Sequence, residues 1–150
     1  MASKDITEVS REMVWRPSYR GFLVYYIAFA VAFFGPMINP AVGVPVWLGV
    51  LLGLAVLVVF VLRKFGQEFR ATSEGVKRVN YWPAAQEKLA WPEVGEIKVL
   101  RGLTQTLLNV GSLVIHDKAG QPRLSWERLA DPKGVKAVLE RRQAAFAEES

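Results

Sequence analysis

The stretch "GFLVYYIAFAVAFFGPMINPAVGVPVWLGVLLGLAVLVVFVL" at 21–62 contains no charged residue, and it decides how the rest of the chain is arranged. About 20 apolar residues are enough to cross a hydrocarbon core roughly 30 Å thick. Two such helices fit here, at Phe22–Ile38 and Val46–Leu62, because Pro, Asn and Gly residues crowd the segment between them. The sequence therefore predicts a transmembrane helical hairpin over 21–64.

Basic residues flank this hairpin on both sides, whereas its loop contains neither Lys nor Arg. Because Lys and Arg concentrate in the cytoplasmic flanks of membrane helices, both chain ends are expected in the cytoplasm. Aromatic rings favour the two membrane–water interfaces. The residues expected to fix the topology or to contact the interfaces are Arg16, Arg20, Arg63, Lys64, Trp15 and Trp47.

A cleaved signal peptide is the alternative interpretation of the first helix. The leader carries Asp5, Glu8 and Glu12 among its basic residues, and no small-x-small cleavage site is followed by a polar mature start. We therefore expect residues 1–20 to persist as a cytoplasmic N-terminal segment.

Gly49 and Gly53 have the spacing of the small-residue motif that lets membrane helices approach closely. Two interpretations are open at this stage. The glycines pack this chain against another membrane protein, or they pack the two predicted spans against each other.

Beyond the hairpin, short apolar runs alternate with turn residues, which is typical of small all-β domains. The strands predicted in this half are 66–72, 76–82, a strand around 97–99, 112–117 and 123–129.

Two helical segments are predicted among and after these strands. Leu103, Leu107 and Leu108 indicate a single turn in a connector. Asp131 suits the cap of a second helix, with Pro132 at its first position. Apolar residues then recur on one face of an amphipathic helix of about fifteen residues, which we expect to cover the sheet. These residues are Val135, Val138, Leu139 and Phe146.

Four segments in this order resemble the bacterial PH-like domain family, specifically its small membrane-anchored members of the YdbS kind. They are "FRATSEGVKR" (69–78), "LAWPEVGEIKVLRG" (89–102), "LLNVGSLVI" (107–115) and "LSWERLADPKGVKAVL" (124–139). One departure is Asn109, where the family pattern has Gly. The resemblance implies that 65–150 form a small antiparallel PH-like β-barrel or sandwich, capped by the C-terminal helix, in the inner membrane of a bacterium. It further implies that Leu107 and Leu108 plug the barrel and that Leu113 and Ile115 line its wall.

Catalytic and metal-binding patterns are weak in this sequence. The chain has no Cys and one His, which removes disulfides, thiol nucleophiles and thiolate metal sites. His116 precedes Asp117, but adjacent residues of a strand point to opposite faces. Glu93 and Glu96 are interpreted as solvated carboxylates. We therefore expect no catalytic residue, no metal and no cofactor.

The net charge of +5 is modest, so a nucleic-acid partner is not expected. Lys77, Arg78, Lys98 and Arg101 are instead predicted to lie near one end of the barrel, where they contact anionic lipid headgroups or a protein partner. Ordinary solvated charge is the alternative for all four.

Taken together, these patterns predict a non-enzymatic, membrane-anchored PH-like interaction module at the cytoplasmic face of the inner membrane. Its expected partners are the lipid bilayer, other membrane proteins and anionic headgroups. The alternative is an accessory or assembly subunit of a larger inner-membrane complex. A third hypothesis, a hydrolase that uses carboxylates across a homo-oligomer, has no pattern in its favour. The oligomeric state is left open.

Overall fold

A computed structural model describes residues 11–149. The first ten residues, with Asp5 and Glu8, lie outside the described residues, so the predicted N-terminal segment 1–20 is described only from Arg11. The helices are α1 (Leu23–Ile38), α2 (Val46–Phe65), α3 (Leu103–Leu107) and α4 (Pro132–Glu149). The strands are β1 (Met13–Trp15), β2 (Gln67–Ala71), β3 (Gly75–Tyr81), β4 (Ala84–Ala90), β5 (Val94–Leu100), β6 (Val110–Asp117) and β7 (Pro122–Ala130).

Helices α1 and α2 form the hairpin that the uncharged stretch predicts. A 3-10 turn at Tyr19–Phe22 leads into α1, and the helices meet the loop at Ile38 and Val46, where the sequence analysis placed them. With a rise of about 1.5 Å per residue, α2 is roughly 30 Å long. Both helical segments, taken as Tyr19–Ile38 and Val46–Phe65, are long and apolar enough to cross a membrane.

Gly49 and Gly53 are buried where α2 packs on α1. A Cβ atom on Gly49 would come within 2.7 Å of the carbonyl oxygen of Ala32, and one on Gly53 would come within 3.0 Å of the Cβ of Phe33. The two glycines therefore pack the helices of one hairpin against each other, which is the second of the two interpretations that the sequence left open.

The remaining elements form two antiparallel sheets, with strand orders β1-β2-β3-β4 and β5-β6-β7. Strands β1 and β4 are missing from the sequence prediction. Strand β1 has three residues, and its partner β2 lies beyond the hairpin. Strand β4, "AAQEKLA", has few of the β-branched and aromatic residues that favour strands, and its pairing with β3 from Ala84 to Ala90 determines its conformation.

The two sheets share one hydrophobic core, in which Phe69 of β2 stacks on Trp126 of β7 with ring centroids 5.5 Å apart. Because the sheets are separate, the domain is the sandwich of the two expected forms, and no closed barrel forms in the described part of the chain. Leu113 and Ile115 are buried in its core, as expected for wall residues. Leu107 is exposed, so the prediction that it plugs the fold is wrong.

The hairpin is inserted between the first two strands of the four-stranded sheet. The chain leaves the sheet after β1, passes through α1 and α2, and returns as β2. Strands β1 and β2 then pair antiparallel, with Trp15 opposite Phe69. Both ends of the hairpin are therefore held at the same edge of one sheet.

Helix α4 lies against both sheets. The Asp131 carboxylate accepts a hydrogen bond from the Gly134 amide at 3.3 Å, so it caps the first turn. The guanidinium of buried Arg142 donates to the carbonyl of Ala71 in β2 at 3.2 Å and also to that of Arg11. The Gln143 amide donates to the carbonyl of Val94 in β5 at 2.8 Å. These bonds to backbone, in addition to buried Val135 and Leu139, fasten the helix to the sandwich.

The glycine contacts predict different results for two matched substitutions in the hairpin. Gly49→Ala places a methyl group against the backbone of α1, so we expect the thermal midpoint in detergent to fall by several degrees, equivalent to about 1–3 kcal/mol. Gly35→Ala adds the same methyl group where only its own helix and its chain neighbour Pro36 are near, so any fall in the midpoint should be clearly smaller than for Gly49→Ala. Equal losses for the two variants would contradict the close packing at Gly49.

Candidate functional site

Glu68 lies three residues after the end of α2, and its buried carboxylate joins the first three strands. The side chain is 8% exposed. It accepts hydrogen bonds from Arg70 at 2.7 Å, from Arg16 at 2.5 Å and from the hydroxyl of Tyr81 at 3.0 Å. The guanidinium groups of Arg70 and Arg16 hold the pKa of Glu68 well below its usual range, at about 2, although burial opposes this shift. Glu68 is therefore ionised at neutral pH and ties β1 to β2.

A cation–π contact joins the two ends of the hairpin. Lys64, in the last turn of α2, is buried, and its Nζ lies 4.2 Å from the ring centroid of Tyr19. Tyr19 begins the 3-10 turn that leads into α1. An ammonium group over an aromatic ring is attracted by the ring's negative face, so this contact helps to hold the start of α1 beside the end of α2.

Arg128 of β7 joins the second sheet to the start of α1. Its guanidinium lies 4.9 Å from the ring centroid of Phe22, and its carbonyl accepts a hydrogen bond from the Ser18 amide at 2.6 Å. A Cβ atom on Gly21 would lie 2.7 Å from the Cβ of Arg128, so glycine permits this approach. We call the surface formed by Tyr19, Phe22, Lys64, Glu68 and Arg128 the junction. It fixes the sandwich to one end of the hairpin.

The junction shows where the predicted topology residues lie. Arg16 pairs with Glu68 and Lys64 is buried under Tyr19, whereas Arg20 and Arg63 are exposed. Trp47 is 64% exposed at the start of α2, near the loop of the hairpin. Trp15 instead packs on Trp126 with ring centroids 5.7 Å apart, because the pairing of β1 with β2 turns it into the core of the sandwich.

The four basic residues proposed as a contact surface have different local contacts. Lys77 lines a cavity between β3 and β4. Arg78 donates to the Ser125 carbonyl at 3.1 Å and to Glu87 at 3.0 Å, so it bridges the two sheets. Arg101 donates to the side chain of Asn109 at 3.2 Å. That these residues form one contact surface at one end of the domain stays a prediction.

Lys98 has a different setting from the other three. It lies on β5 and lines a groove against α4, together with Lys133 and Lys136. The groove has a volume of about 470 Å³, and its apolar lining includes Val99 and Leu100. Sequence reasoning did not connect Lys98 with the lysines of α4, because they are brought together only when the helix packs on the sheet. Glu140 also lines the groove and pairs with Lys136 at 3.5 Å, and Lys98 pairs with Glu96 at 3.2 Å, so the groove has mixed charge beside its apolar lining.

Asp117, considered with His116 for catalysis, has a structural role in a turn. The Asp117 carboxylate accepts hydrogen bonds from the amides of Ala119 and Gln121, both at 2.9 Å, and so shapes the turn between β6 and β7. His116 lies opposite Pro122 of β7. Over residues 11–149, no three His, Asp or Glu side chains lie together in a way that would hold a metal ion.

Sequence reasoning missed Glu68 and Arg128, the two residues on which the junction depends. The spacing of Glu68 and Arg70 on one face of a strand was a usable signal for an ion pair. Arg128 carried no comparable signal, because its left-handed backbone, with φ of 57°, and its contact with Phe22 both arise from the tertiary fold.

Comparison of the chain with protein-family models, with curated proteins and with solved structures gives no match.

The low pKa of Glu68 predicts how stability changes with pH. The folded-state pKa is about 2, below the ordinary value of 4.5, so the carboxylate's contribution is complete above pH 4.5 and is lost as the pH falls toward 2. This contribution amounts to at most about 3 kcal/mol. We expect Glu68→Gln to lower the thermal midpoint in detergent at pH 7 and to bring the midpoints of variant and wild type closer together below pH 4.5.

Glu87→Gln is the matched control for this titration, because Glu87 pairs with Arg78 at a more exposed position. Its melting curve should follow that of the wild type across the pH range. A constant difference between Glu68→Gln and the wild type from pH 7 to pH 3 would show that Glu68 does not carry the predicted charge linkage.

Proposed function

We propose that this chain is a non-enzymatic, membrane-anchored interaction module, in which the hairpin holds a PH-like sandwich at the cytoplasmic face of a bacterial inner membrane. The observation that carries the proposal is the exposure of the hairpin's apolar surface. Only 11% of each candidate span is buried in the protein. Val24 and Ile38 are 74% and 79% exposed. In water so large an apolar surface would be costly, whereas a bilayer covers it.

The distribution of charge supports the proposed orientation. Arg20, Arg63 and Lys64 all lie at the end of the hairpin that carries the sandwich, and the loop at the other end has neither Lys nor Arg. By the positive-inside rule this arrangement favours a cytoplasmic sandwich and cytoplasmic chain ends.

The architecture of the sandwich supports the PH-like assignment. Two antiparallel sheets that share a core, followed by a helix packed on both, form the arrangement that the sequence resemblance implies. The groove between β5 and α4 offers this module a surface for an acidic protein segment or an anionic headgroup, since Lys98, Lys133 and Lys136 line it. Such a ligand competes with Glu96 for Lys98 and with Glu140 for Lys136.

An accessory or assembly subunit is the alternative function. Its support in the sequence was the Gly49 and Gly53 pair as a contact for another membrane protein. Because both glycines are used inside the hairpin, they do not favour that alternative over an autonomous module.

A pair of fusions tests the topology. A green fluorescent protein fused after Ser150 should fluoresce, and alkaline phosphatase fused at the same place should be inactive, because both report a cytoplasmic C-terminus. Alkaline phosphatase inserted after Val42, in the loop of the hairpin, should be active. Periplasmic activity of the Ser150 fusion would overturn the proposed arrangement.

Purification from native membranes tests the interaction. We expect the tagged chain in mild detergent to retain an acidic protein or anionic lipid, identified by mass spectrometry, and Lys98→Glu/Lys133→Glu to lose it. The double variant Lys118→Glu/Arg123→Glu makes the same charge change at exposed positions away from the groove and should retain the partner. Equal retention by both variants would exclude the groove as the binding surface. A fixed set of membrane proteins in whole-number ratios, unaffected by either variant, would favour the accessory subunit.

A further inference from the structure

Helix α3 directs its apolar side chains away from the protein. Leu103 is 91% exposed and Leu107 is 88% exposed, and no other large apolar side chain in the described part of the chain is so exposed. The two residues are four apart and therefore lie on one face of the helix. Two neighbouring leucines so exposed to water would be unusual, because removing a leucine side chain from water lowers the free energy.

The side chains of Gln105 and Thr106 hold the turn itself. The amide oxygen of Gln105 accepts a hydrogen bond from the backbone amide of Gly102 at 3.0 Å. The hydroxyl of Thr106 donates to the carbonyl of Gly102, also at 3.0 Å. These local bonds close the helix on the connector and leave Leu103 and Leu107 as its outward surface.

Helix α3 lies beside the first turn of α1. A cleft of about 400 Å³ separates them, and the residues that line it include Arg20, Leu23 and Val24 on one side and Leu103 and Leu108 on the other. Leu23 and Val24 are themselves exposed residues of the hairpin. The apolar surface of α3 therefore continues that of the helix that enters the membrane in the proposed function. None of the described residues that line the cleft is acidic.

We propose that α3 is a second membrane contact, in which Leu103 and Leu107 insert into the cytoplasmic leaflet and a lipid acyl chain occupies the cleft between α3 and α1. This inference rests on the proposed function, because it requires α1 to cross the bilayer. Interfacial helices bury their apolar face about 5–10 Å into the boundary between headgroups and acyl chains. At that depth Arg20, at the rim of the same cleft, lies level with the lipid phosphates and complements their charge.

Lipid fits this surface better than a protein partner does. The two leucines of α3 are exposed, whereas Gln105 and Thr106 bond back to Gly102, and the exposed apolar surface is continuous with the apolar flank of the hairpin. A third contact beside the two spans restricts the tilt of the hairpin and its attached sandwich relative to the bilayer, because tilting would move α3 out of the leaflet.

The absence of Cys from the sequence permits a direct test on the full-length chain. Single cysteines at Leu103, Leu107, Leu57 and Ala119 are labelled with the fluorophore NBD and reconstituted in vesicles of phosphatidylcholine and phosphatidylglycerol. Leu57 lies within α2 and reports the bilayer interior. Ala119 is exposed beyond the far end of β6, roughly 20 Å or more from the cleft, and reports water. Because all four side chains are exposed, the substitutions should leave folding intact.

We expect nitroxide-labelled lipid to quench the NBD fluorescence at Leu103 and Leu107 as strongly as that at Leu57, and to leave the fluorescence at Ala119 nearly unchanged. Aqueous iodide should quench the label at Ala119 and have little effect on the other three. Quenching of Leu103 and Leu107 by iodide, with Leu57 still quenched by lipid, would overturn the inference and leave the hairpin anchor intact. Iodide quenching at Leu57 would instead overturn the anchor and the inference together. Protection of Leu103 and Leu107 from both quenchers would overturn lipid contact in favour of a protein partner.

Discussion

The pairing of β1 with β2 across the inserted hairpin is the constraint on which the rest of the structure depends. Strand β1 has three residues, too few to hold a sheet edge by backbone hydrogen bonds alone. The carboxylate of Glu68 adds a charge-assisted bond to Arg16, which follows β1, and another to Arg70 on its own strand. Once this pair is closed, the two ends of the hairpin are fixed side by side and the sheet can extend to β3 and β4.

This constraint makes the hairpin a rigid part of the domain. Only Gly66 lies between α2 and β2, and its amide and carbonyl are both used, by Leu62 at 2.8 Å and by Tyr81 at 2.7 Å. On the other side, Phe22 lies under Arg128, so the second sheet is also held to the start of α1. A flexible linker would let a soluble domain sample many orientations over the membrane, whereas these connections allow few. The faces that α3 and the groove at α4 present to their surroundings are therefore set by the fold.

What could be predicted from the sequence was encoded by residues close together in the chain. The hairpin follows from one uncharged stretch, and the start of α4 follows from Asp131 and Pro132. The partnership of Arg16 with Glu68 could not be predicted, because 52 positions and two helices separate the two residues. The prediction for Leu107 failed for another reason. It assumed that an apolar residue of a folded domain is buried in protein, whereas Leu107 lies exposed on α3.

The junction stabilises its charged groups differently from the rest of the sandwich. Exposed pairs on the sandwich, such as Lys136 with Glu140, contribute little to stability. At the junction, Lys64 and Arg128 lie over the rings of Tyr19 and Phe22. Cation–π attraction strengthens when water is removed, and an aromatic ring is itself stable at a membrane interface. In the proposed orientation, pairing cations with rings therefore keeps their charge stabilised at the depth where hydration declines, and these contacts join the hairpin to the sandwich.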